Sequence, residues 1–405
     1  MKNYKEIHIW DLPEDLVYVD LTDEVRKDIL NKSIKFAKNW INLGKELGVY
    51  PHKKRSSDVI RCLREGYKIR LSLLKKILDY LDSNGCKIDR DFIEKNIIVV
   101  ATKSNGGSKF ANVILNPNLP FDFNNLEGAR ILSSIFFDGG INSEIEPHYS
   151  NKNIKLRELV YNSYIQIFGS INAKFSNYKD LEQIYFPKII GIILVHSLGL
   201  MPGRKTTNNP SVPEFIKDCS KEMKSIFLQQ AFDDEGHVHL KQKRLDFKLA
   251  CINNGYPPNL LIDVRNLLKD FGIESGEIKP RDIYQNKDGQ INRKWSFNIC
   301  YKRNLEIFQK EIEFISEHKS KKLKKILESP YPIQYDRNKA NGIILNACKN
   351  LEKREGKILS RTLAKEINRT QYRSKQVIGR FVRKGILKVV KPRHGTIGAE
   401  YKLQV

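Results

Sequence analysis

Residues 131–141 read ILSSIFFDGGI, and residues 228–238 read LQQAFDDEGHV. Aligned without gaps, each stretch is a short apolar helix that ends in a carboxylate. Glycine, one further residue and a β-branched residue that opens a strand follow in both copies. The two carboxylates, Asp138 and Glu235, are 97 residues apart, which is the length of one mixed α/β unit. The spacing predicts a two-fold internal repeat.

A second alignment of the two stretches is also open. It pairs Asp138 with Asp233 and places Gly140 opposite Glu235. The gapless alignment is the better one, because it matches carboxylate, glycine, any residue and Ile or Val in both copies. It also leaves a small residue, Ser133, where two packed helices would cross.

The order of elements after each carboxylate is repeated as well. In the first copy, hydrophobic periodicity predicts a strand near 141–147, a helix near 156–168, strands near 171–175 and 183–186, and a helix over 189–198. In the second copy it predicts strands over 237–242 and 245–252, a helix over 258–271, a hairpin that turns at 287–289, and a helix over 303–315.

This repeat resembles the LAGLIDADG homing endonucleases, in the form that carries two motif copies on one chain. The resemblance covers about residues 127–327 and extends to the connecting stretches, which are similar to those of archaeal and intein-borne members: YFPKIIGIIL, LGLMPGRKTTNNPSVPEFI and LLKDFGIESGEI. It implies an α+β fold, a pseudo-two-fold core of two αββαββα halves, about 127–220 and 221–327. The motif helices would pack side by side, with two antiparallel sheets forming a saddle over DNA.

The chemistry of phosphodiester hydrolysis fits the paired carboxylates. A divalent metal neutralises charge and activates water, and hard cations such as Mg²⁺ prefer oxygen ligands. The resemblance implies that Asp138 and Glu235 are catalytic and bind Mg²⁺ or another divalent cation. It also implies one basic catalytic residue in each half, for which Lys188 and Lys302 occupy equivalent places before the last helix.

Basic residues on or beside the predicted strands are expected to face DNA. They are Lys174, Lys241, Lys243, Arg281 and Lys294.

The charge of the chain agrees with a nucleic-acid partner. Its 405 residues include 71 Lys and Arg against 47 Asp and Glu, a formal net charge of +24. Such an excess indicates association with a polyanion, here double-stranded DNA. The apolar runs are far shorter than the ~20 residues of a membrane span, and the N-terminus has no signal-peptide core. We therefore expect a cytoplasmic, nucleoid-associated protein without a membrane partner, and a monomer.

Residues 1–110 are predicted to form a helical, helix-turn-helix-like domain. Apolar spacing predicts helices over 33–47, 56–64 and 71–81. The basic cluster Lys53, Lys54 and Arg55 precedes the second of these helices, which is where base-contacting residues lie in such motifs.

Residues 336–405 are predicted to form a winged helix-turn-helix. Helices are expected over 338–351, 360–367 and 371–384, followed by strands over 386–390 and 399–403. This segment has 18 Lys and Arg and 5 Asp and Glu, a net charge of +13. Basic residues predicted to bind DNA crowd the third helix, its approach and the wing: Arg369, Arg373, Lys375, Arg380, Arg383, Lys391 and Arg393.

These patterns favour a site-specific, metal-dependent endonuclease of homing type that cleaves double-stranded DNA. A catalytically inactive DNA-binding regulator with the same fold is the alternative. The helix crossing keeps this alternative open, because Gln229 and Gln230 stand where the family usually has small residues. If the second alignment held, one carboxylate would be lost, and nicking or pure binding would follow.

Overall fold

The computed structural model describes residues 6–49, 62–102, 112–178, 181–329, 337–392 and 398–404. The structure is mixed α/β with several antiparallel sheets, and it divides into two compact units, Met1–Leu327 and Glu328–Val405. Within these described ranges, no helix combines the length and the apolar character needed to cross a membrane.

The N-terminal part of the first unit is organised around a five-stranded sheet. Its described elements are β1 (Glu6–Ile7), β2 (Tyr18–Leu21), α1 (Asp23–Ala37), α2 (Trp40–Glu46), β3 (Ile69–Arg70), α3 (Leu71–Ser83), α4 (Arg90–Lys95), β4 (Ile97–Ala101), β5 (Val113–Leu115) and β6 (Phe121–Asp122). The strand order is β3-β2-β4-β5-β9, and β9 (Ser170–Ile171) comes from the centre of the chain. The expectation of a separate helical domain over 1–110 is therefore wrong.

The helix expected over 33–47 is also interrupted. Lys38 adopts the left-handed region at φ 66°, through which a regular α-helix does not continue. Asn39 then caps α2, since its side chain accepts a hydrogen bond from the backbone N–H of Asn42 at 2.9 Å.

Of the other two predicted N-terminal helices, one is confirmed and only the end of the other is described. The helix predicted over 71–81 is confirmed as α3. Residues 62–64 of the helix predicted over 56–64 are helical, and the rest of it lies outside the described residues. The basic cluster Lys53, Lys54 and Arg55 also lies outside the described residues.

The central repeat forms two halves of the same topology. The first half contains α5 (Leu126–Phe136), β7 (Gly139–Ile141), β8 (Pro147–Ser150), α6 (Ile154–Phe168), β10 (Lys174–Tyr178), β11 (Leu181–Tyr185) and α7 (Lys188–Leu198). After the short helices α8 (Lys205–Asn208) and α9 (Glu214–Lys217), the second half contains α10 (Lys221–Glu235), β12 (Gly236–His239), β13 (Arg244–Ile252), α11 (Asn259–Asp270), β14 (Lys279–Gln285), β15 (Ile291–Ile299) and α12 (Lys302–Glu311).

The two central sheets share one strand order. The sheet of the first half runs β7-β8-β11-β10, and that of the second half runs β12-β13-β15-β14. In both halves the strands are thus arranged first, second, fourth and third in chain order. A further helix, α13 (Glu317–Glu328), follows the second half and was not predicted from the sequence.

Aromatic side chains join the two halves in one core. The ring of Phe137, just after α5, lies 6.0 Å from that of Phe227 on α10 and 5.6 Å from that of Phe247 on β13. Phe232 on α10 packs against Phe247 and Phe308, with ring centroids 4.8 Å apart in each pair. Burial of these large rings supplies much of the hydrophobic stabilisation between the motif helices and the second sheet.

The second unit has three helices followed by a two-stranded antiparallel sheet. They are α14 (Arg337–Glu355), α15 (Ser360–Glu366), α16 (Gln371–Arg383), β16 (Leu387–Lys391) and β17 (Glu400–Leu403). Its core includes the buried side chains of Leu351, Leu363, Ile378 and Phe381. The predicted helices and strands of this segment are confirmed to within a few residues at each end.

Candidate functional site

The two motif helices, α5 and α10, contact each other through exchanged hydrogen bonds. Ser133 Oγ donates to the carbonyl oxygen of Phe227 at 2.7 Å, and an Arg130 guanidinium nitrogen donates to Gln230 Oε1 at 3.4 Å. A shift of 97 residues maps Ser133 onto Gln230 and Arg130 onto Phe227. Each contact is therefore the two-fold counterpart of the other in the gapless alignment, which pairs Asp138 with Glu235.

The glycine after each carboxylate is required by the close approach of backbone. Gly139 pairs with Tyr149 and Gly236 pairs with Phe247, both buried aromatic residues. A Cβ atom at Gly139 would lie 2.4 Å from the carbonyl oxygen of His148, and one at Gly236 would lie 2.5 Å from that of Phe232. Only glycine fits at these two positions, which place each carboxylate at the junction of a helix and a strand.

Asp138 and Glu235 come together in one electrostatic cluster. Burial, and then the negative charge of Asp138, raise the pKa of Glu235 to about 7. Burial likewise raises the pKa of Asp138. The two carboxyl groups predicted from the sequence are thus near enough to influence each other, although they belong to different halves.

Asp234 adds a third carboxyl group that sequence reasoning missed. Its Oδ1 accepts hydrogen bonds from Tyr149 Oη at 2.8 Å, Gln230 Nε2 at 3.0 Å and Asn151 Nδ2 at 3.3 Å. Burial, and then the charge of Asp138, hold the pKa of Asp234 well above its ordinary value. The run of three acids at 233–235 was the available signal.

Asp233, the partner of Asp138 in the second alignment, has a structural role. Its carboxyl oxygens accept hydrogen bonds from the backbone N–H groups of Ile315 at 2.7 Å and Ser316 at 3.1 Å. It therefore holds the segment that leads into α13.

Two lysines lie against the ends of the motif helices, and neither was predicted from the sequence. Lys205 Nζ donates to the carbonyl oxygens of Phe137 and, at 2.8 Å, of Gly139. Lys319 Nζ donates to the carbonyl oxygen of Phe232 at 3.1 Å, and to that of Asp233.

The charges of these two lysines act on the paired carboxyl groups. Both lysines lower the pKa of Asp138 and of Glu235, while burial lowers the pKa of each lysine. Two cations and three acids thus share one partly buried site.

The predicted catalytic lysines lie at helix starts. Lys188 is the first residue of α7, and its backbone N–H donates to Asn112 Oδ1 at 3.1 Å. Lys302 is the first residue of α12, and its Nζ lies 3.6 Å from Glu306 Oε1. The catalytic role of these two lysines stays a prediction.

The second sheet has a polar face opposite the helices. Phe297 packs on Phe247, which contacts the motif helix, so the neighbouring odd-numbered positions of β15 face the core. Lys294 is exposed on the other face, and Arg281 joins it there because its Nε donates to Ser296 Oγ at 2.7 Å.

The remaining predicted strand residues are placed as follows. Lys174 begins β10 and is exposed, whereas the next residue, Phe175, contacts the ring of Tyr161 on α6. Lys174 therefore lies on the face away from α6. Lys241 and Lys243 lie in the turn between β12 and β13.

The predicted DNA-binding residues of the second unit are largely exposed. Those with exposed side chains on α16 or β16 are Arg373, Lys375, Arg380, Arg383 and Lys391. Arg369, just before α16, is half-buried. Arg393 lies outside the described residues. The buried side of α16 consists of Ser374, Ile378 and Phe381, so its basic residues form the opposite, solvent-facing side.

The carboxylate oxygens of Asp138, Asp234 and Glu235 are suitable ligands for a hard cation, but they do not form a complete, preformed metal site. No group of three or more His, Cys, Asp or Glu side chains in the described part of the chain is arranged to hold a metal ion. Asp234 Oδ2 is nevertheless buried without a hydrogen-bond partner. Carboxylate oxygens beside such an orphaned acceptor suit Mg²⁺, which is often held by one or two carboxylates together with substrate phosphates.

Comparisons of sequence give two partial relatives from Methanocaldococcus jannaschii. The chain is 30% identical over 140 residues to a protein described as "Probable translation initiation factor IF-2", covering 33% of this chain and 11% of that protein. It is 25% identical over 241 residues to "DNA-directed RNA polymerase subunit Rpo1N", covering 51% of this chain and 17% of that protein. The chain thus spans less than a fifth of either relative, and no protein-family model matches it.

Comparison of structure gives similarity to the homing endonuclease I-DmoI. One neighbour is I-DmoI in complex with DNA and Mn, with 18% identity, a TM-score of 0.32 and coverage of 47% of this chain and 98% of that one. A second is a variant of I-DmoI in complex with its target DNA in the presence of Mg, with 17% identity, the same TM-score and coverage of 46% and 94%.

Proposed function

We propose that this protein is a site-specific, divalent-metal-dependent endonuclease of double-stranded DNA, of homing type. One observation carries the proposal. Two motif helices of opposite halves exchange hydrogen bonds and deliver Asp138 and Glu235 into one cluster, beside two sheets of identical strand order. Two carboxylates, one from each copy of the repeat, suit two scissile phosphates on two antiparallel strands.

Each group has a task that follows from its chemistry. Asp138 and Glu235 would hold Mg²⁺ or another divalent cation, which would supply charge neutralisation and the activation of water. Lys205 and Lys319 place positive charge beside the carboxylates, where the anionic phosphate arrives and where charge develops.

DNA binding is assigned to two surfaces. The polar sheet faces, with Lys174, Arg281 and Lys294, contact the duplex around the cut site. The basic side of α16, in the arrangement of a winged helix-turn-helix, adds phosphate and base contacts elsewhere on the DNA. Because most such contacts go to phosphate, binding should weaken steeply with salt.

A cleavage selection tests the proposal. A plasmid library with a randomised insert is incubated with the full chain, with Mg²⁺ or with EDTA, and linear products are sequenced. We expect a family of related sites that is cut only with Mg²⁺, and no cutting by the double variant Asp138→Asn, Glu235→Gln. Tight, sequence-selective binding without nicks or cuts would favour the regulator instead.

That regulator is the second candidate. It is favoured by the lack of a preformed group of three metal ligands in the described residues. The selection separates the two functions, because both predict binding and only one predicts cutting.

A further inference from the structure

The acidic cluster is not symmetric between the two halves. In the 97-residue register, the counterpart of Asp234 is Phe137, whose ring packs in the aromatic core between Phe227 and Phe247. Where one half has an apolar ring, the other has a carboxyl group. A buried carboxyl group is costly unless donors surround it.

Three donors surround Asp234, and two of them belong to fully buried side chains. Tyr149 Oη and Gln230 Nε2 both donate to Oδ1, and Gln230 Nε2 also lies 2.9 Å from Tyr149 Oη. Arg130 contacts the amide oxygen of Gln230. The carboxyl group of Asp234 is thus fixed from the helix side by a polar network.

The third donor, Asn151, links Asp234 to Asp138. Asn151 Nδ2 donates to Asp138 Oδ2 at 2.8 Å and to Asp234 Oδ1 at 3.3 Å. Its amide oxygen accepts from the backbone N–H of Asn153 at 2.9 Å, which fixes the orientation of the amide. Because a side-chain amide has two N–H donors, one nitrogen serves both carboxyl groups.

We propose that Asp234 is a positioning residue that acts through Asn151 to fix the carboxyl group of Asp138. Among the described residues, the hydrogen bond of Asn151 reaches Asp138 and not Glu235, so the two halves of the site are inequivalent. This inference rests on the proposed function. It predicts that loss of the support slows cleavage of one DNA strand, while the other strand is cut at nearly the normal rate.

Strand-resolved cleavage of a selected duplex tests it, with each strand labelled by a different dye. Asp234→Ala and Asn151→Ala should each slow one and the same strand about 10–100-fold, the usual loss when an outer partner of a metal ligand is removed. The double variant should be no slower than either single variant, because the two residues act as one unit. Asp234→Asn should restore most of the rate, since its amide oxygen accepts the same hydrogen bonds.

Glu94→Gln is the matched control. Glu94 is also a buried carboxylate that accepts hydrogen bonds, from His8 Nδ1 and the backbone N–H of Ile9, but it belongs to the N-terminal part. A general loss of stability should slow both strands equally, as any effect of Glu94→Gln should. Equal slowing of both strands by Asn151→Ala, or additive effects in the double variant, would refute the positioning role.

Calorimetric titration with Ca²⁺ gives a readout that does not depend on cleavage. Weaker Ca²⁺ binding by Asn151→Ala and Asp234→Ala than by the wild type supports the inference, and unchanged binding in folded variants refutes it. Failure of the wild type to cut either strand overturns the proposed function. In that case the Ca²⁺ titration alone tests whether Asp234 positions Asp138. If Asp234→Ala does not fold, Asn151→Ala carries both measurements.

Discussion

Replacement of Glu235 by Gln should stabilise the metal-free protein at alkaline pH. In the folded state, burial and the charge of Asp138 raise the pKa of Glu235 from its ordinary value of 4.5 to about 7. Between these two values the folded protein binds the proton and the unfolded chain does not. The free energy of unfolding therefore falls as the pH rises from 4.5 to 7, and it stays lowered above 7.

The size of the pKa shift of Glu235 sets the free energy that its ionisation costs the folded state. At 1.36 kcal/mol per pKa unit, ionisation of Glu235 costs the folded state about 3 kcal/mol at pH 8, to order of magnitude. Gln has nearly the same shape and no charge, so Glu235→Gln avoids this cost. Below about pH 4 the wild-type side chain is protonated in both the folded and the unfolded state, so the two proteins should be nearly equally stable.

Thermal unfolding in EDTA at about pH 4 and at pH 8 is the assay. We expect the variant to melt several degrees above the wild type at pH 8, and within about a degree of it at about pH 4. The control Glu94→Gln should be less stable than the wild type at pH 8, because it weakens hydrogen bonds of a buried carboxylate. Equal melting of Glu235→Gln and wild type at pH 8 would refute the account of the cluster.

Three further outcomes are expected. Gly139→Ala should destabilise the first unit by about 1–3 kcal/mol in urea unfolding, because its Cβ would meet backbone oxygen, whereas Gly379→Ala, with open space around it, should not. Lys205→Met and Lys319→Met should each lower the cleavage rate about a hundredfold at saturating DNA with little loss of affinity, and a large loss of affinity instead would make them binding residues. Deletion of 336–405 should reduce the salt dependence of DNA binding measured by anisotropy, and an unchanged slope would show that this segment does not contact phosphate.

Local sequence patterns predicted the repeat and the second unit, although the single strand expected near 141–147 is two strands, Gly139–Ile141 and Pro147–Ser150, that pair with each other. The glycine after each carboxylate marks a position where no side chain fits, and the 97-residue spacing is reproduced by the exchanged contacts of Ser133 and Gln230. In the second unit, Gly385 at φ 69° ends α16 next to where the sequence placed the end of its third helix. The glycine signals depend on neighbouring residues alone, and the repeat is visible when the sequence is aligned with itself.

Structural features that depend on contacts between distant parts of the chain could not be predicted from local sequence patterns. The strands of the N-terminal sheet are completed by Ser170–Ile171, so the partner that makes them strands lies in another part of the chain. Lys205 and Lys319 reach the site from segments that follow each half, and nothing local distinguishes them from solvated lysines. Asp234 is fixed by Tyr149 and Asn151 of the other half, a contact that only the packed helices create.

The anomalous diffraction of Mn²⁺ tests the central claim most directly. Crystals of the full chain bound to a selected DNA duplex and soaked in Mn²⁺ would be measured at the manganese absorption edge. The account predicts an anomalous peak within ligand distance of the carboxylates of Asp138 and Glu235 and of a DNA phosphate, roughly 2.0–2.3 Å, as for hard cations with oxygen ligands. A peak elsewhere in the protein, or an ordered DNA complex in which these two carboxylates bind no metal, would contradict it.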